Sequence, residues 1–220
     1  MRHIDLGSEK GQSAENYKRG IMKRVLVALI SISSSLFPAS VLAELNYDAF
    51  SLGYGKISKS GYPDKTAYRF GFTKSLSDYA YVGAKYEINV QPSGSKLRLD
   101  LGLHAPLKDN TDLVFTGNLM NGSADVPGLP ESSNGYRLSA GIRAELAPRF
   151  EGRFSCGYSK VNTSLMGSAL NTTTGIDLNI SIGYRITPQY ELFAEMSSST
   201  IRQVPIYSTD LLGFGAKIYY

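Results

Sequence analysis

Apolar residues stand at every second position through ten stretches of this chain, and the alternation runs on to the last residue. In "LLGFGAKIYY", residues 211–220, one face of a strand would hold Leu212, Phe214, Ala216, Ile218 and Tyr220. The other would hold Gly213, Gly215, Lys217 and Tyr219, because strand side chains alternate in direction. Chain ends fray unless they are tied down, so a strand placed there must be paired along both edges. The ten period-two stretches run over 46–57, 66–75, 79–90, 96–105, 112–121, 135–147, 149–161, 174–186, 190–201 and 210–220. Nothing longer than a turn reads with helical period, and past residue 43 no apolar run is long enough for a membrane-spanning helix. A closed sheet can still cross a membrane, since its strands need only be half apolar.

The connections between these stretches alternate in length. "SLSD", "PLKDN", "AP" and "TPQ" are tight; "SKSGYPDK", "NGSADVPGLPESSNG", "NTSLMGSALNTT" and "RQVPIYST" are longer, and "QPSGS" is the one short member of that second set. Short turns on one rim and longer loops on the other predict an all-β, antiparallel, up-and-down transmembrane β-barrel of the bacterial outer membrane, with both termini in the periplasm. The count is ten strands, with eight as the alternative. The faces agree: on 96–105, Leu97, Leu99, Leu101 and Leu103 oppose Arg98, Asp100, Gly102 and His104. A soluble exported β-sandwich would show the same alternation, so the aromatic residues carry the distinction. Phe72, Phe150, Tyr184, Tyr190 and Tyr220 fall on the apolar face beside the short turns, whereas Tyr54, Tyr68, Tyr136 and Tyr158 fall there near the longer loops. Two belts bracketing an aliphatic band are what lipid interfaces select.

The N-terminal region reads differently. Met22-Lys23-Arg24, the apolar "VLVALISISSSLF" and the small residues before Ala43 predict a secretory signal peptide over 22–43, cleaved between Ala43 and Glu44. Residues 1–21, polar and mixed in charge, read as a non-structural extension, which leaves 44–220 as the barrel domain. Of the 23 Lys/Arg and 19 Asp/Glu, residues 1–43 carry six and three, so the barrel domain carries 17 and 16. A net charge of +1 leaves no footprint for nucleic acid. A single cysteine, Cys156, excludes an intramolecular disulfide in an exported chain.

The leader, the ten hairpin-linked strands, "SLGYG" on the first, "IGYRITPQYELFAEM" over the eighth and ninth, and "GFGAKIYY" at the end together resemble the small outer-membrane β-barrels of the OmpA and OmpX type. The resemblance covers essentially all of 44–220. It implies that Phe214, Ala216, Ile218 and Tyr220 form the signal read by the barrel-assembly machinery, with Tyr220 standing where a terminal Phe is commoner. It also implies lipid and lipopolysaccharide as surroundings and a monomeric state.

Catalytic and cofactor readings find little support. The one histidine past residue 43, His104, stands beside the tight turn at Ala105-Pro106, at the periplasmic rim, and Cys156 lies on the apolar face between Phe154 and Tyr158 as a small hydrophobe. No His/Cys grouping has metal-ligand spacing, and "GYGKISKSG" lacks the Gly-Lys-Ser/Thr ending of a phosphate loop. No enzyme activity and no cofactor are expected. Inward positions on the strands hold eight cations (among them Arg69, Lys85, Arg98 and Arg137) and seven carboxylates (Glu87, Asp100 and Asp177 included), a near balance that predicts paired networks and a largely plugged lumen. Arg143, Glu145, Glu151, Arg153, Arg185, Glu191, Glu195 and Lys217 are expected to form one charge network closing the periplasmic half. Function then falls to the loops. Val126 and Leu129 in 121–135, Leu165 and Met166 in 162–173, and Ile206 and Tyr207 in the last loop form a candidate rim for a surface partner, or a packing surface serving envelope integrity. A small channel for ions or solutes is the alternative.

Overall fold

The computed structural model describes residues 45–220 apart from 60–63, 91–92, 109, 127–128, 166–167 and 202–206. The expected extension and signal peptide, residues 1–43, lie outside the described residues, as do Met166 and Ile206. Ten strands follow in chain order: β1 Ala49–Lys59, β2 Lys65–Ser77, β3 Ala80–Asn89, β4 Gly94–Lys108, β5 Thr111–Val126, β6 Leu129–Ala147, β7 Phe150–Leu165, β8 Ser168–Arg185, β9 Tyr190–Ile201 and β10 Tyr207–Tyr219. Each pairs antiparallel with its neighbours in sequence, and β1 pairs with β10 to close the barrel. The count of ten stands and eight does not. Closure leaves no second sheet to pack on, so the exported sandwich is excluded.

Register sorts the residues by face. In the β1–β10 seam Phe50 lies opposite Ile218, Leu52 opposite Ala216 and Tyr54 opposite Phe214. These residues point outward, and they are far from buried: Leu212 is 66% exposed, Phe214 60% and Leu138 60%. An apolar exterior this extensive cannot face water and marks a surface in contact with lipid. Aromatic groups bracket it. Phe50, Phe72 and Tyr220 cluster beside the short turns with ring centroids 5.1–6.2 Å apart, and Tyr54 meets Tyr68 at 5.6 Å and Phe214 at 5.4 Å nearer the other end. Cys156 is exposed on the same outer face.

The seam is also tied at its periplasmic end. Tyr220 donates its N–H to the Asp48 carbonyl (3.3 Å) and its hydroxyl to the Thr73 carbonyl (3.1 Å), while the Asp48 carboxylate accepts from the Ser75 N–H at 2.5 Å and pairs with Lys74. Burial pulls the Asp48 pKa up, but the Lys74 ammonium and the Ser75 N–H outweigh it and hold the carboxyl below its ordinary value. The last residues of the chain therefore lock against the segment that leads into β1.

The walls are uneven in height. A barrel strand needs about 9–11 residues to cross a bilayer. β3 has 10 residues and β1 has 11, whereas β5, β6, β7 and β8 have 16, 19, 16 and 18. The expected loops 121–135 and 162–173 are thus largely strand: Val126 lies opposite Leu129, and Leu165 opposite Ser168 and Glu131. Sequence reading ended these strands early because the apolar alternation stops where neither face meets lipid. The ladder itself continues, joined by polar pairs such as Ser132 with Ser164 (2.7 Å) and Thr172 with Asn162 (2.8 Å).

Candidate functional site in the barrel lumen

Two carboxylates anchor the periplasmic end of the lumen. Glu151 on β7 is 2% exposed and Glu191 on β9 is 1% exposed. Glu151 receives a two-pronged contact from Arg143 on β6, Nε at 2.8 Å and Nη2 at 2.9 Å, along with Arg153 Nε at 2.5 Å and Arg185 Nη2 at 2.9 Å. Three guanidiniums on one carboxylate would be a surplus of positive charge, and Glu191 supplies the balance: it binds the Lys217 ammonium, accepts the Tyr219 hydroxyl at 2.8 Å and lies 4.0 Å from Arg185 Nε. Charges this deep are tolerated only when paired and hydrogen-bonded. Local sequence makes the room, for a β-carbon at Gly183 would collide with the Glu191 side chain.

A tyrosine completes this floor. Tyr47, two residues before β1 and on the inward parity of Ala49 and Ser51, reaches across the opening and is 9% exposed. Its hydroxyl donates to Asp112 on β5 at 2.7 Å, its ring stacks on His104 with centroids 4.0 Å apart and on Tyr81 at 5.0 Å, and the Arg143 guanidinium sits 4.4 Å from its centroid. His104 Nδ1 lies 3.3 Å from the same Asp112 carboxylate. The histidine thus belongs to the floor, at the rim expected of it.

Six of the eight residues expected to form one network, Arg143, Glu151, Arg153, Arg185, Glu191 and Lys217, meet here. Two do not. Glu145, directly opposite Glu151 in the β6–β7 ladder, accepts instead from the Arg149 N–H at 3.3 Å in the tight turn. Glu195 sits two inward positions above Glu191 and pairs with Arg69 on β2. Sequence reading placed Tyr219 on the inward face with Lys217 but passed over Tyr47, Asp112 and Lys96 as lumen residues. Parity alone would have found these three, because each lies an even number of residues from an inward charge or glycine on the same strand or its lead-in.

Above the floor the lumen opens into a cavity of about 570 Å³. Its pairs are looser: Arg98 Nε lies 2.9 Å from Asp100, which also accepts from Asn118 at 2.7 Å, and Arg137 Nε lies 3.3 Å from Asp177. Lys85 and Lys96 point into the barrel yet stay exposed, and among the described residues neither has a carboxylate within 4 Å. The cavity is near balance as a count, five cations to four carboxylates, but its two lysines are left outside the ion pairs.

The outer face and the floor can be compared with known proteins. The outer-membrane protease OmpT of Escherichia coli superposes with a TM-score of 0.54 at 9% identity, over 83% of this chain and 99% of that one. The chain has the fold of the small outer-membrane β-barrels. Neisserial surface protein A, at 15% identity, is similar over 79% of this chain and 96% of its own with a TM-score of 0.45, and the Yersinia pestis attachment invasion locus protein Ail, at 11% identity, over 80% and 100% with a TM-score of 0.36. No protein-family model and no curated protein sequence matches the chain. A closed barrel with an apolar, aromatic-belted exterior places it in the outer membrane as an integral protein. The four positions of the expected assembly signal, Phe214, Ala216, Ile218 and Tyr220, all point outward along β10, where Tyr220 also closes the seam. Of the six expected loop contacts, Val126, Leu129, Leu165 and Tyr207 are strand-end residues in their backbones.

Proposed function

We propose that this chain is a non-enzymatic outer-membrane barrel, sealed at its periplasmic end, that acts at the cell surface through the two hairpins β5–β6 and β7–β8. The observation that carries this reading is the floor. Glu151, Glu191 and Tyr47 are buried across the same end of the lumen, so solute has no wide path between the cavity and the periplasm. The tall hairpins supply the rest: roughly five or more residues beyond a membrane-spanning length, at about 3.3 Å each, lift the β5–β8 wall some 15 Å or more along the strands. Val126, Leu129 and Leu165 end these strands, and with Met166, Ile206 and Tyr207 they would form the contact surface for a partner or for lipopolysaccharide. Phe214, Ala216, Ile218 and Tyr220 would serve the assembly machinery, and the export reading assigns 22–43 to the leader.

Single-channel recording of the purified barrel in a planar bilayer tests the seal. Little or no steady conductance is expected; a large, steady conductance would show that the lumen passes solute and that the channel reading is correct. Trimming both hairpins, with tight turns joining Ser123 to Ser132 and Thr163 to Thr172, tests the surface role in whole cells. The trimmed barrel should keep its heat-modifiable gel mobility and lose attachment to host or cell surfaces. Attachment equal to that of the full chain would overturn it.

A further inference from the structure

Besides the floor's own Arg143, Arg153 and Lys217, the cavity is lined by five cationic side chains, Arg69, Lys85, Lys96, Arg98 and Arg137, and four acidic ones, Glu87, Asp100, Asp177 and Glu195. Glu195, Asp100 and Asp177 pair with Arg69, Arg98 and Arg137, which leaves Lys85 and Lys96 with Glu87 near them and no ion pair within 4 Å. What remains is concentrated on one wall. Lys85 on β3 lies directly opposite Arg98 on β4, and Lys96 follows two residues before Arg98 on the same inward face. Arg137 on β6 faces the lumen beside Asn118, the partner of Asp100. Like charges placed directly across a strand pair repel and destabilise the pairing. Here the repulsion between Lys85 and Arg98 is offset through Asp100 and Glu195, which are themselves bound to Arg98 and Arg69, and Glu87, opposite Lys96, makes no ion pair with it within 4 Å.

Hydrogen-bonding capacity points the same way. The Nε atoms of Arg98 and Arg137 are buried without a hydrogen-bond partner of good geometry, and Arg69, on the strand next to Lys85, leaves both Nε and Nη2 in that condition. Each of these guanidiniums is ion-paired yet leaves a donor without a hydrogen-bond partner, and they stand near two lysines with no ion pair within 4 Å, in a space that could hold a small solute.

We infer that the lumen above the floor is a binding site for a small solute carrying two or more oxyanion groups, phosphate or carboxylate, held by Lys85, Lys96, Arg98 and Arg137. The wall offers ammonium groups as movable point charges and guanidiniums as fixed forks, the combination suited to an anion with several oxygens. Ser159, Thr173, Ser199 and Thr209 line the cavity toward the extracellular rim, so the entry path is polar and uncharged. The site needs neither the hairpin tips nor a partner at the surface.

Isothermal titration of the detergent-solubilised barrel with inorganic pyrophosphate, in a non-ionic detergent at low salt, tests the site. Binding of one anion per barrel is expected, weakening as salt is added. K85Q and K96Q should each weaken it by about tenfold or more, the scale of losing a charge-assisted contact, and the double variant should abolish it. Neither lysine has a carboxylate that its loss would orphan, so both variants should retain heat-modifiable mobility. K160Q, on the outer face of β7, should bind as the unaltered protein does. Absence of binding in the unaltered barrel, or an affinity unchanged in the K85Q/K96Q variant, would overturn the inference.

Discussion

Glu151 and Lys85 both point into the same barrel, but their surroundings differ in kind. Glu151 is 2% exposed and holds three guanidiniums, whereas Lys85 is exposed and has no carboxylate within 4 Å among the described residues. The periplasmic end is tightly buried, closely ion-paired and crossed by Tyr47. The middle of the lumen is roomy and leaves Lys85 and Lys96 outside its ion pairs. One inward-facing pattern of alternate polar residues therefore produces a packed floor at one height and a cavity at another, and what decides between them is the placing of bulky inward aromatic groups such as Tyr47, Tyr81 and Tyr219.

The sharpest way to break this contrast is at the seal. Glu151→Ala would leave Arg143, Arg153 and Arg185 facing one another with only Glu191 nearby, and losing one member of a buried, hydrogen-bonded ion group costs about 3–5 kcal/mol. Urea unfolding of the barrel in lipid vesicles should show that loss, while K85Q in the cavity should fall within about 0.5 kcal/mol of the unaltered protein. Equal losses at the two sites would erase the distinction between floor and cavity. Next in size is the outer wall common to both. Leu101, 56% exposed on β4 between Leu99 and Leu103, meets acyl chains, so Arg there should cost about 2–4 kcal/mol near the bilayer midplane. Ala should cost less than the 2–5 kcal/mol typical of a truncated protein core, because fluid lipid refills the space. Ala as damaging as Arg in the same vesicle assay would mean that Leu101 packs against protein.

How much of this was legible in the sequence follows the same division. Period two located all ten strands, and the parity of Leu97 to Leu103 against Arg98 to His104 assigned their faces correctly, since lipid imposes a strict one-sided requirement. The hairpin extensions were not legible: Ser132, Asn162 and Thr172 stand in water on both faces, where no apolar pattern is selected and only backbone pairing and side-chain hydrogen bonds persist. In the lumen, sequence reading could say which residues point inward but not which meet. Glu145 and Glu195 share the inward face with Glu151, yet the tight turn engages one and height removes the other. Tyr47 was harder still, because its role depends on crossing the opening to Asp112 on a strand more than sixty residues away in sequence.

Smaller effects should separate the tied end from the open one. The Asp48 carboxyl is held below its ordinary value near 3.9, so its anchoring of the β1 lead-in to Lys74 and Ser75 is complete above that pH and is lost as pH falls through the lower, folded value. The Ser75 amide resonance, followed by NMR from pH 6 downward, should titrate with a midpoint below 3.9. A midpoint at or above that value would mean that the clamp is not formed in the native barrel.

At the opposite end, Asn162 accepts from Thr172 Oγ1 at 2.8 Å and donates to Asn134 at 3.3 Å, linking β6, β7 and β8 above the lipid. All three side chains are exposed, so water competes for every one of these groups and replaces whatever is removed. Asn162→Ala should therefore cost well under about 1 kcal/mol, against the low end of what a hydrogen bond contributes when water can substitute for it. Because the backbone ladder between β6 and β7 is continuous from Tyr136 and Lys160 upward, hydrogen exchange of the β6–β7 amides should be nearly unchanged as well. If Asn162→Ala instead destabilised the barrel as strongly as Glu151→Ala, or released the β7 amides to rapid exchange, the hairpins would depend on their polar side chains as the floor does, and the contrast between a sealed end and a solvated one would have to be abandoned.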